Sequence, residues 1–340
     1  MDNELNVTYI TFDGHVEVHK YRYLYFVIMF TAYILIICSN STIVCIIVIK
    51  KALHEPMYIF IAALLINSVL YSTAIYPKLL IDFLSEKQII SYSACLFQWF
   101  IYYTLASSEF FLLSVMAYDR YVSICKPLQY PTIMRKKTVY IFLILAWTLS
   151  ACQVSVATLL SGNRTLCNFV LKGIICNSTF QNLHCVSSAV LNIYGLVVLV
   201  IAVPLPVLFI LFTYTRILII TYRSSREVRR KAAQTCLPHL LVLINFSCLS
   251  TYDVLLARLE TNVPKTVRLI MSLQMILYHP LFNPIIYGLK MKDIHKHLKR
   301  LFSKKYFILS CNHTMFSEPE QRGKKQRTLQ LKKPQHTRSR

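Results

Sequence analysis

Three charged positions in otherwise apolar sequence are the starting point for any chemistry this chain could perform. Glu109 lies in the apolar part of residues 107–126, SSEFFLLSVMAYDRYVSICK, and an Asp119–Arg120 pair lies near the end of that segment. Acid–base catalysis needs several convergent groups, yet Glu109 is the only acidic residue deep within an apolar run. Neither a C-x-x-C nor an H-E-x-x-H spacing occurs, so the sequence gives no support for zinc. We therefore expect no cofactor and no enzymatic activity.

The composition indicates what surrounds these charges. Of 340 residues, 55% are hydrophobic and only 15% are charged, and the mean hydropathy is +0.49. A soluble protein of this length would need far more polar surface. About 20 apolar residues suffice to cross a bilayer as a helix. The predicted spans are residues 23–49, 57–80, 95–124, 139–160, 190–220, 232–256 and 267–289. They predict an all-α membrane protein built as a seven-transmembrane helix bundle.

The basic residues set the predicted orientation of this bundle. Lys and Arg follow spans one, three, five and seven, whereas the loops on the other side carry fewer cations, mixed with acids. By the positive-inside rule the N-terminus lies outside and the C-terminus in the cytosol of a multi-pass plasma-membrane protein. We expect an extracellular segment at 1–22, the transmembrane domain at 23–289, a short amphipathic helix at 290–302 and a basic, disordered tail at 303–340.

The formal net charge of +22 raises the question of nucleic acid binding. The excess lies on the predicted cytosolic face and in the tail. Anionic lipid of the inner leaflet attracts such basic residues by roughly 1 kcal/mol each. We therefore expect membrane lipid, and no nucleic acid, as the partner of these charges.

Four of the eleven cysteines fall on the predicted outer side of the membrane, namely Cys95, Cys167, Cys176 and Cys185. An oxidising compartment and an even count favour two disulfides. With four cysteines the sequence leaves three pairings open.

Glycosylation sequons agree with the predicted orientation. Asn6, Asn163 and Asn177 each begin a match on the outer side, where glycans are added. Two other matches, at Asn40 and Asn312, fall in the membrane and in the cytosol. The pattern alone is weak, and its agreement with the charge distribution is what supports the three outer sites.

Four segments resemble the signatures of one receptor family. They are MAYDRYVSICKPLQY at 116–130, LHEPMY at 53–58, KAAQTCLPH at 231–239 and NPIIYGLK at 283–290. In order, spacing and residue sequence they resemble the odorant receptors within the rhodopsin-like G-protein-coupled receptors. The residue sequence is closest to that of fish-type odorant receptors. The resemblance implies that a small-molecule odorant binds between the helices from outside. It also implies that the cytosolic face activates a stimulatory heterotrimeric G protein, which raises cAMP.

The resemblance assigns roles to residues by motif. Arg120 is the switch arginine, held at rest by Asp119, and Tyr214 and Tyr287 are the inward-turning tyrosines of spans five and seven. Structural positions of their helices are marked by Asn40, Trp147 and Pro284. The disulfides that it implies are Cys95–Cys176 and Cys167–Cys185.

Glu109 falls, by the same resemblance, at an internal cation or polar-network site. Many relatives carry an Asp in span two where this chain has Ser68, beside Asn67, so at most one carboxylate remains. A charge at the bilayer centre usually faces the bundle interior and finds partners. We expect Glu109 to form a network with Asn67, Ser68 and Asn283 that holds the resting state. The alternative is a purely structural, permanently protonated Glu109, because burial favours the neutral form of an acid.

The ligand site is predicted on the outer halves of spans three, five and six. The predicted ligand-binding residues are Tyr102, Tyr103, Ala106, Ser107, Val198, Ser250, Thr251, Val254 and Arg258. Tyr102 stands where amine receptors carry an Asp, which disfavours a classical monoamine. Arg258 would bind a carboxylate or sulfate group or would instead extend to lipid headgroups.

Other classes of membrane protein fit the sequence less well. A channel would need a ring of charges or a filter-like loop, and a transporter would show internal repeats or paired broken helices. The sequence contains neither pattern. The remaining alternative is a related rhodopsin-like receptor for a metabolite that is not an odorant.

Overall fold

The computed structural model describes residues 8–162, 164–186, 188–222, 226–258 and 264–302. The chain divides into two units, Met1–His295 and Lys296–Arg340. The first unit holds the helix bundle and every site described below.

The described chain is almost entirely helical. Its helices are α1 (Val18–Ile49), α2 (Pro56–Leu84), α3 (Tyr92–Cys125), α4 (Tyr130–Ile133), α5 (Lys136–Gly162), α6 (Ala189–Ala202), α7 (Pro204–Tyr222), α8 (Arg226–Arg258), α9 (Lys265–Lys290) and α10 (Lys292–Phe302). Within the described residues, six spans are long and apolar enough to cross a membrane, with α6 and α7 together forming one of them. α8 adds a shorter apolar stretch, His239–Thr251. The predicted seven-helix bundle is confirmed.

Prolines lie within the fifth and seventh spans and affect them differently. The fifth span is divided into α6 and α7 at Pro204, which lacks an N–H and crowds the preceding turn. α9 instead continues through Pro280 and Pro284. Because Pro284 has no N–H, it leaves the carbonyl of Pro280 without its helical donor. Asn40 on α1 donates to that carbonyl at 3.0 Å, which joins α1 to α9.

A small sheet on the outer side was not expected from the sequence. It contains β1 (Tyr9–Phe12), β2 (Ile89–Ser91) and β3 (Val170–Leu171). β1 lies in the middle, antiparallel to β2 and parallel to β3. Strands of two to four residues are too short to show a twofold hydrophobic period. The sequence therefore predicted no strand in the extracellular segment 1–22. It also placed the start of the first helix at residue 23, five residues after the observed start at Val18.

The sheet is packed onto the outer end of the bundle. Gly14, just after β1, donates its N–H to the carbonyl of Gly173 at 3.1 Å. A Cβ at Gly14 would lie 2.4 Å from the Gly173 carbonyl carbon, so only glycine permits this approach. Below it, Phe12 and Leu171 belong to the same buried cluster as Trp99 on α3.

α3 is the central helix of the bundle. It packs against α2, α5, α7 and α8. Its buried residues extend from Cys95 near the outer end to Val122 near the inner end. One helix therefore passes from the outer loops, through the membrane, to the Asp119–Arg120 pair.

Candidate functional site

A cavity of about 160 Å³ lies in the outer half of the bundle, among α3, α5, α6, α8 and α9. The side chains that line it are uncharged and mainly apolar. They are Trp99, Tyr102, Tyr103, Ala106, Ser107, Phe110, Gln153, Val154, Ala157, Gln181, Leu191, Tyr194, Val198, Leu199, Ala202, Val203, Ser250 and Met275, with Gly195 completing the wall. Concave, mostly apolar sites with a few polar groups are typical of small-molecule binding.

Most of the predicted ligand-binding residues meet at this cavity. Those that line it are Tyr102, Tyr103, Ala106, Ser107, Val198 and Ser250. Thr251 does not, and its placement in the site was wrong. It is exposed and donates its hydroxyl to the Ser247 carbonyl at 2.7 Å, because one residue step turns a helix by about 100° away from Ser250. The side chains of Val254 and Arg258 lie outside the described residues.

The sequence reasoning missed the contribution of α5 and, on α6, that of Tyr194. Gln153 on α5 and Tyr194 on α6 both line the cavity, and the Tyr194 hydroxyl donates to the Gln153 carbonyl at 2.8 Å. A usable signal was present, since a polar side chain inside a membrane span usually faces the bundle interior. Gln153 is such a residue in the predicted span 139–160.

Three polar atoms of residues that line the cavity are buried and have no hydrogen-bond partner among the described residues. They are the Trp99 Nε1, the Gln153 Oε1 and the Ser250 Oγ. Leaving a buried polar atom unpaired costs about 1–3 kcal/mol. The cavity therefore offers a guest molecule one donor, one acceptor and one hydroxyl that can act as either.

Two disulfides fix the loop between α5 and α6 above the cavity. Cys95 at the top of α3 is bonded to Cys176, and Cys167 is bonded to Cys185. These are the pairs that the family resemblance implies. A 3-10 helix in this loop, Ser178–Leu183, carries Gln181 into the cavity wall. The loop is thus both tied to α3 and part of the site.

A buried polar cluster lies below the cavity, at the middle of α3. Glu109 is fully buried, and its Oε2 contacts the Nε2 of His279, which is 1% exposed. Asn283 donates to the Glu109 Oε1 at 3.1 Å and to the Ser68 Oγ at 2.9 Å. Ser68 and Asn283 were expected beside Glu109. His279 was not, and it supplies the basic partner of the carboxylate.

Asn67 was expected in the same network and lies in a different one. Its Nδ2 donates to the Leu105 carbonyl at 2.9 Å, and its Oδ1 accepts from Ser108 at 2.8 Å and from the Trp147 indole at 3.2 Å. These bonds hold α2, α3 and α5 together. The expected contact with Glu109 is not made, because Asn67 precedes Ser68 by one position and projects from another side of α2.

The inner end of α3 holds a closed ion pair. Arg120 donates from Nε to the Asp119 Oδ2 at 2.9 Å, and its Nη2 contacts the same oxygen. The other carboxylate oxygen accepts from the Tyr130 hydroxyl at 2.8 Å. Burial, together with the Asp119 charge, raises the pKa of Tyr130. Tyr130 therefore stays a neutral donor, and both oxygens of Asp119 are occupied.

The two inner tyrosines differ in their surroundings. The Tyr287 hydroxyl lies 3.2 Å from Nδ1 of His239, so α9 is joined to α8. The Tyr214 hydroxyl is buried and has no hydrogen-bond partner in the described part of the chain. His239 ends the KAAQTCLPH segment, but the sequence reasoning gave it no role.

Only one of the predicted glycosylation sites has a described position. Asn177 is 4% exposed, and its Oδ1 accepts from the Thr179 amide and hydroxyl at 3.2 and 2.7 Å. A glycan requires an amide nitrogen that reaches solvent, so the predicted glycan at Asn177 does not fit this structure. Asn6 and Asn163 lie outside the described residues.

The arrangement of helices has a close counterpart among solved structures. The crystal structure of squid rhodopsin superposes with a TM-score of 0.66 at 16% sequence identity, covering 87% of this chain and 88% of that one. The fold is therefore that of the rhodopsin-like, seven-transmembrane receptors.

Sequence comparison places the chain within that class. The family profile described as olfactory receptor matches residues 29–305. Human olfactory receptor 11A1 is 34% identical over 85% of this chain and 91% of its own length, and human olfactory receptor 11G2 is 34% identical over 82% and 81%. The chain belongs to the olfactory receptor family. It is a multi-pass signalling receptor of the plasma membrane and not an enzyme. The finer resemblance to fish-type receptors stays a prediction.

Proposed function

We propose that this receptor binds a small, uncharged odorant in the cavity under the disulfide-bonded loop and activates a stimulatory heterotrimeric G protein, which raises cAMP. The observation that carries the ligand class is the lining of the cavity. Its side chains are uncharged, and it holds unpaired polar atoms on Trp99, Gln153 and Ser250. The hydroxyl of an otherwise apolar molecule could donate to the Gln153 oxygen and accept from Trp99 or Ser250, whereas a carbonyl could only accept from Trp99 and Ser250.

The inner half supports the signalling part of the proposal. Asp119, Arg120 and Tyr130 form a closed set of polar contacts at the cytosolic end of α3. Opening of that set would free Arg120, and the unpaired Tyr214 hydroxyl is a donor ready for a new contact. Tyr287 would leave His239 in the same rearrangement. Such local charge changes are the usual basis of a switch with a global readout.

The remaining parts of the proposal concern the membrane. The basic residues of the cytosolic face and of the segment 303–340, which lies outside the described residues, are proposed to contact anionic lipid. Residues 1–22, 23–289 and 290–302 are proposed as the extracellular segment, the receptor domain and the amphipathic helix. Arg258 stays a prediction with two alternatives, a contact to an acidic ligand or an extension to lipid headgroups.

The test is a cAMP measurement in cells that express this chain, against a panel of alcohols, ketones, acids, amines and steroid or bile-type compounds. We expect agonists among the neutral alcohols and ketones. A matched hydrocarbon that lacks only the polar group should be weaker by roughly 3- to 10-fold or more, since one hydrogen bond contributes about 0.5–1.5 kcal/mol. If only acids raise cAMP, and Arg258→Ala removes their effect, the proposed ligand class is wrong.

A further inference from the structure

The pair formed by Glu109 and His279 joins two titratable side chains in the interior of the membrane domain. Their side chains are 0% and 1% exposed. Among the described residues, His279 is the basic group that contacts Glu109, from α9 across to α3. Asn283 donates to the second carboxylate oxygen at 3.1 Å. Groups of α9 therefore lie against both oxygens of Glu109, His279 by an ion-pair contact to Oε2 and Asn283 by a hydrogen bond to Oε1.

A carboxylate at this depth requires compensation of its charge. An isolated buried charge is costly, whereas a pair of opposite charges with further hydrogen bonds is tolerated. Two observations point to the imidazole of His279 as the compensating group. Its Nε2 lies on the carboxylate, and its ring is stacked on Phe246 with centroids 4.3 Å apart. The face of an aromatic ring attracts a cation.

The same neighbourhood would otherwise suit a small soluble cation. The carboxylate of Glu109 and the hydroxyl of Ser68 are hard oxygen ligands that both accept from the Asn283 amide nitrogen. The oxygen of the same amide is buried and has no hydrogen-bond partner among the described residues. Oxygen ligands of this kind bind hard cations. The imidazole of His279 already contacts Oε2 of Glu109, the carboxylate oxygen that such an ion would bind.

We propose that His279 is a built-in cation of this receptor, which neutralises Glu109 and excludes sodium from the centre of the bundle. The inference rests on the proposed receptor function only for its consequence in signalling. The charge pair itself is a property of the folded chain.

The imidazole also lies at the end of two aromatic contacts that begin at the ligand cavity. Phe110 lines the cavity and contacts Phe246, with ring centroids 4.7 Å apart, and Phe246 stacks on His279. On the other side, Tyr102 lines the cavity and contacts Tyr71 at 5.3 Å, and Tyr71 meets His279 edge-on at 5.4 Å. A ligand that displaces Phe110 or Tyr102 therefore acts on the ion pair through packed rings. His279 is thereby a positioning residue between the cavity and the buried network.

The first experiment measures thermal unfolding of the purified receptor in sodium chloride and in choline chloride at equal ionic strength. Ligands that bind only the folded state raise its melting temperature. We expect no sodium-specific shift for the parent. His279→Asn, which leaves the oxygen ligands without the internal cation, should gain a sodium-specific rise of roughly 2 °C or more at a sodium concentration about ten times its Kd. The double variant Glu109→Gln, His279→Asn should lose that rise.

Two results would overturn the inference: a sodium-specific rise in the parent, or its absence in folded His279→Asn. If His279→Asn does not fold, the parent decides the matter together with infrared spectroscopy. The difference spectrum between the parent and Glu109→Gln should then lack the band of a protonated carboxylic acid. A band of that kind assigned to Glu109 would show that the pair is not ionic.

A second readout addresses signalling. His279→Asn should change basal cAMP and make it depend on sodium, whereas Tyr278→Phe, the exposed neighbour on the same helix, should behave as the parent. If a well-expressed His279→Asn signals as the parent does, the positioning role is wrong. Failure of the proposed function would appear differently, as a receptor with no cAMP response whose sodium-dependent melting still follows the predicted pattern.

Discussion

In the outer half of the bundle, Trp99, Gln153 and Ser250 each have a buried polar atom with no partner among the residues that the structure describes. In the inner half, Asp119 uses both carboxylate oxygens, one for Arg120 and one for Tyr130. Unpaired buried groups raise the free energy of a folded protein, and paired ones hold it in one arrangement. The difference indicates that the outer half is completed by a guest, while the contacts around Asp119 are closed at rest and must be opened.

The largest expected effect is at the closed pair. Arg120→Ala should abolish the cAMP response while surface expression stays close to that of the parent, because the arginine is partly exposed at the membrane edge and its loss removes a switch rather than core packing. Agonist-induced cAMP and surface labelling measured on the same cells check this. Normal cAMP output from a well-expressed variant would refute the assignment of Arg120.

The second prediction concerns the covalent ties above the cavity. Cys95 and Cys176 close a loop of 81 residues, and Cys167 and Cys185 close one of 18. Loop-closure entropy predicts a stabilisation of roughly 4 kcal/mol for the longer loop and roughly 3 kcal/mol for the shorter. Cys95→Ser should therefore lower the melting temperature and surface expression more than Cys185→Ser does.

Cys152→Ser, at an exposed free cysteine of α5, is the matched control and should have little effect. Peptide mapping under non-reducing conditions should recover Cys95 linked to Cys176. A peptide that links Cys95 to Cys167 would show that the pairs are wrong.

The sequence predicted the contacts of the inner half better than the cavity of the outer half. Asp119, Arg120 and Tyr130 lie within 12 consecutive positions of one motif, so local sequence suffices to bring them together. The partner of Glu109 is 170 positions away on α9, and only the folded bundle, which brings the His279 side chain to Glu109, identifies it. The spans, the orientation and the cytosolic switch each depend on residues that are close together in the sequence. They can therefore be predicted from short stretches of it.

The cavity was harder to predict because it depends on rotation about each helix. Ser250 and Thr251 are adjacent, both polar and both on α8, yet one lines the cavity and the other is exposed. The apolar residues of a membrane helix face lipid as readily as protein, so hydrophobicity alone does not set the rotation. Gln153 shows what does help, since a polar residue in a span carries directional information.

A third prediction concerns His15, a buried histidine just after β1 on the outer side. It makes the stability of the protein depend on pH. His15 is 9% exposed, and its ring meets Phe83 edge-on with centroids 5.7 Å apart. Burial, with smaller contributions from Lys78 and Lys265 and opposed by Asp13, lowers the pKa of His15 from 6.5 to about 4. The unfolded chain therefore binds a proton more readily than the folded one between these two values. The stability contribution is present above pH 6.5 and is lost as the pH falls toward 4.

Between pH 7 and pH 5 this loss amounts to about 2 kcal/mol of unfolding free energy. The melting temperature of the parent should fall over that range, and His15→Phe, which keeps the ring but does not titrate, should fall less. Burial also lowers the pKa of His184, so a smaller slope of the same sign will remain in the variant. Equal pH dependence in the two proteins would contradict the prediction.

The smallest expected effect is that of Ser250→Ala, which should leave the ligand-free receptor as stable or slightly more stable but weaken ligand binding. That contrast separates the outer half from the inner half most sharply. Ser250→Ala removes a buried hydroxyl that lacks a partner, so the ligand-free receptor should melt at the same temperature or slightly higher. The same change removes a hydrogen bond from the bound odorant, and the potency of a hydroxyl- or carbonyl-bearing agonist should fall by roughly 3- to 10-fold. Thr251→Val, on the exposed side of the same helix, should leave potency unchanged. A variant that is both less stable and less potent would mean that the Ser250 hydroxyl is a structural partner in the resting receptor, in which case the outer half would be as closed as the inner half.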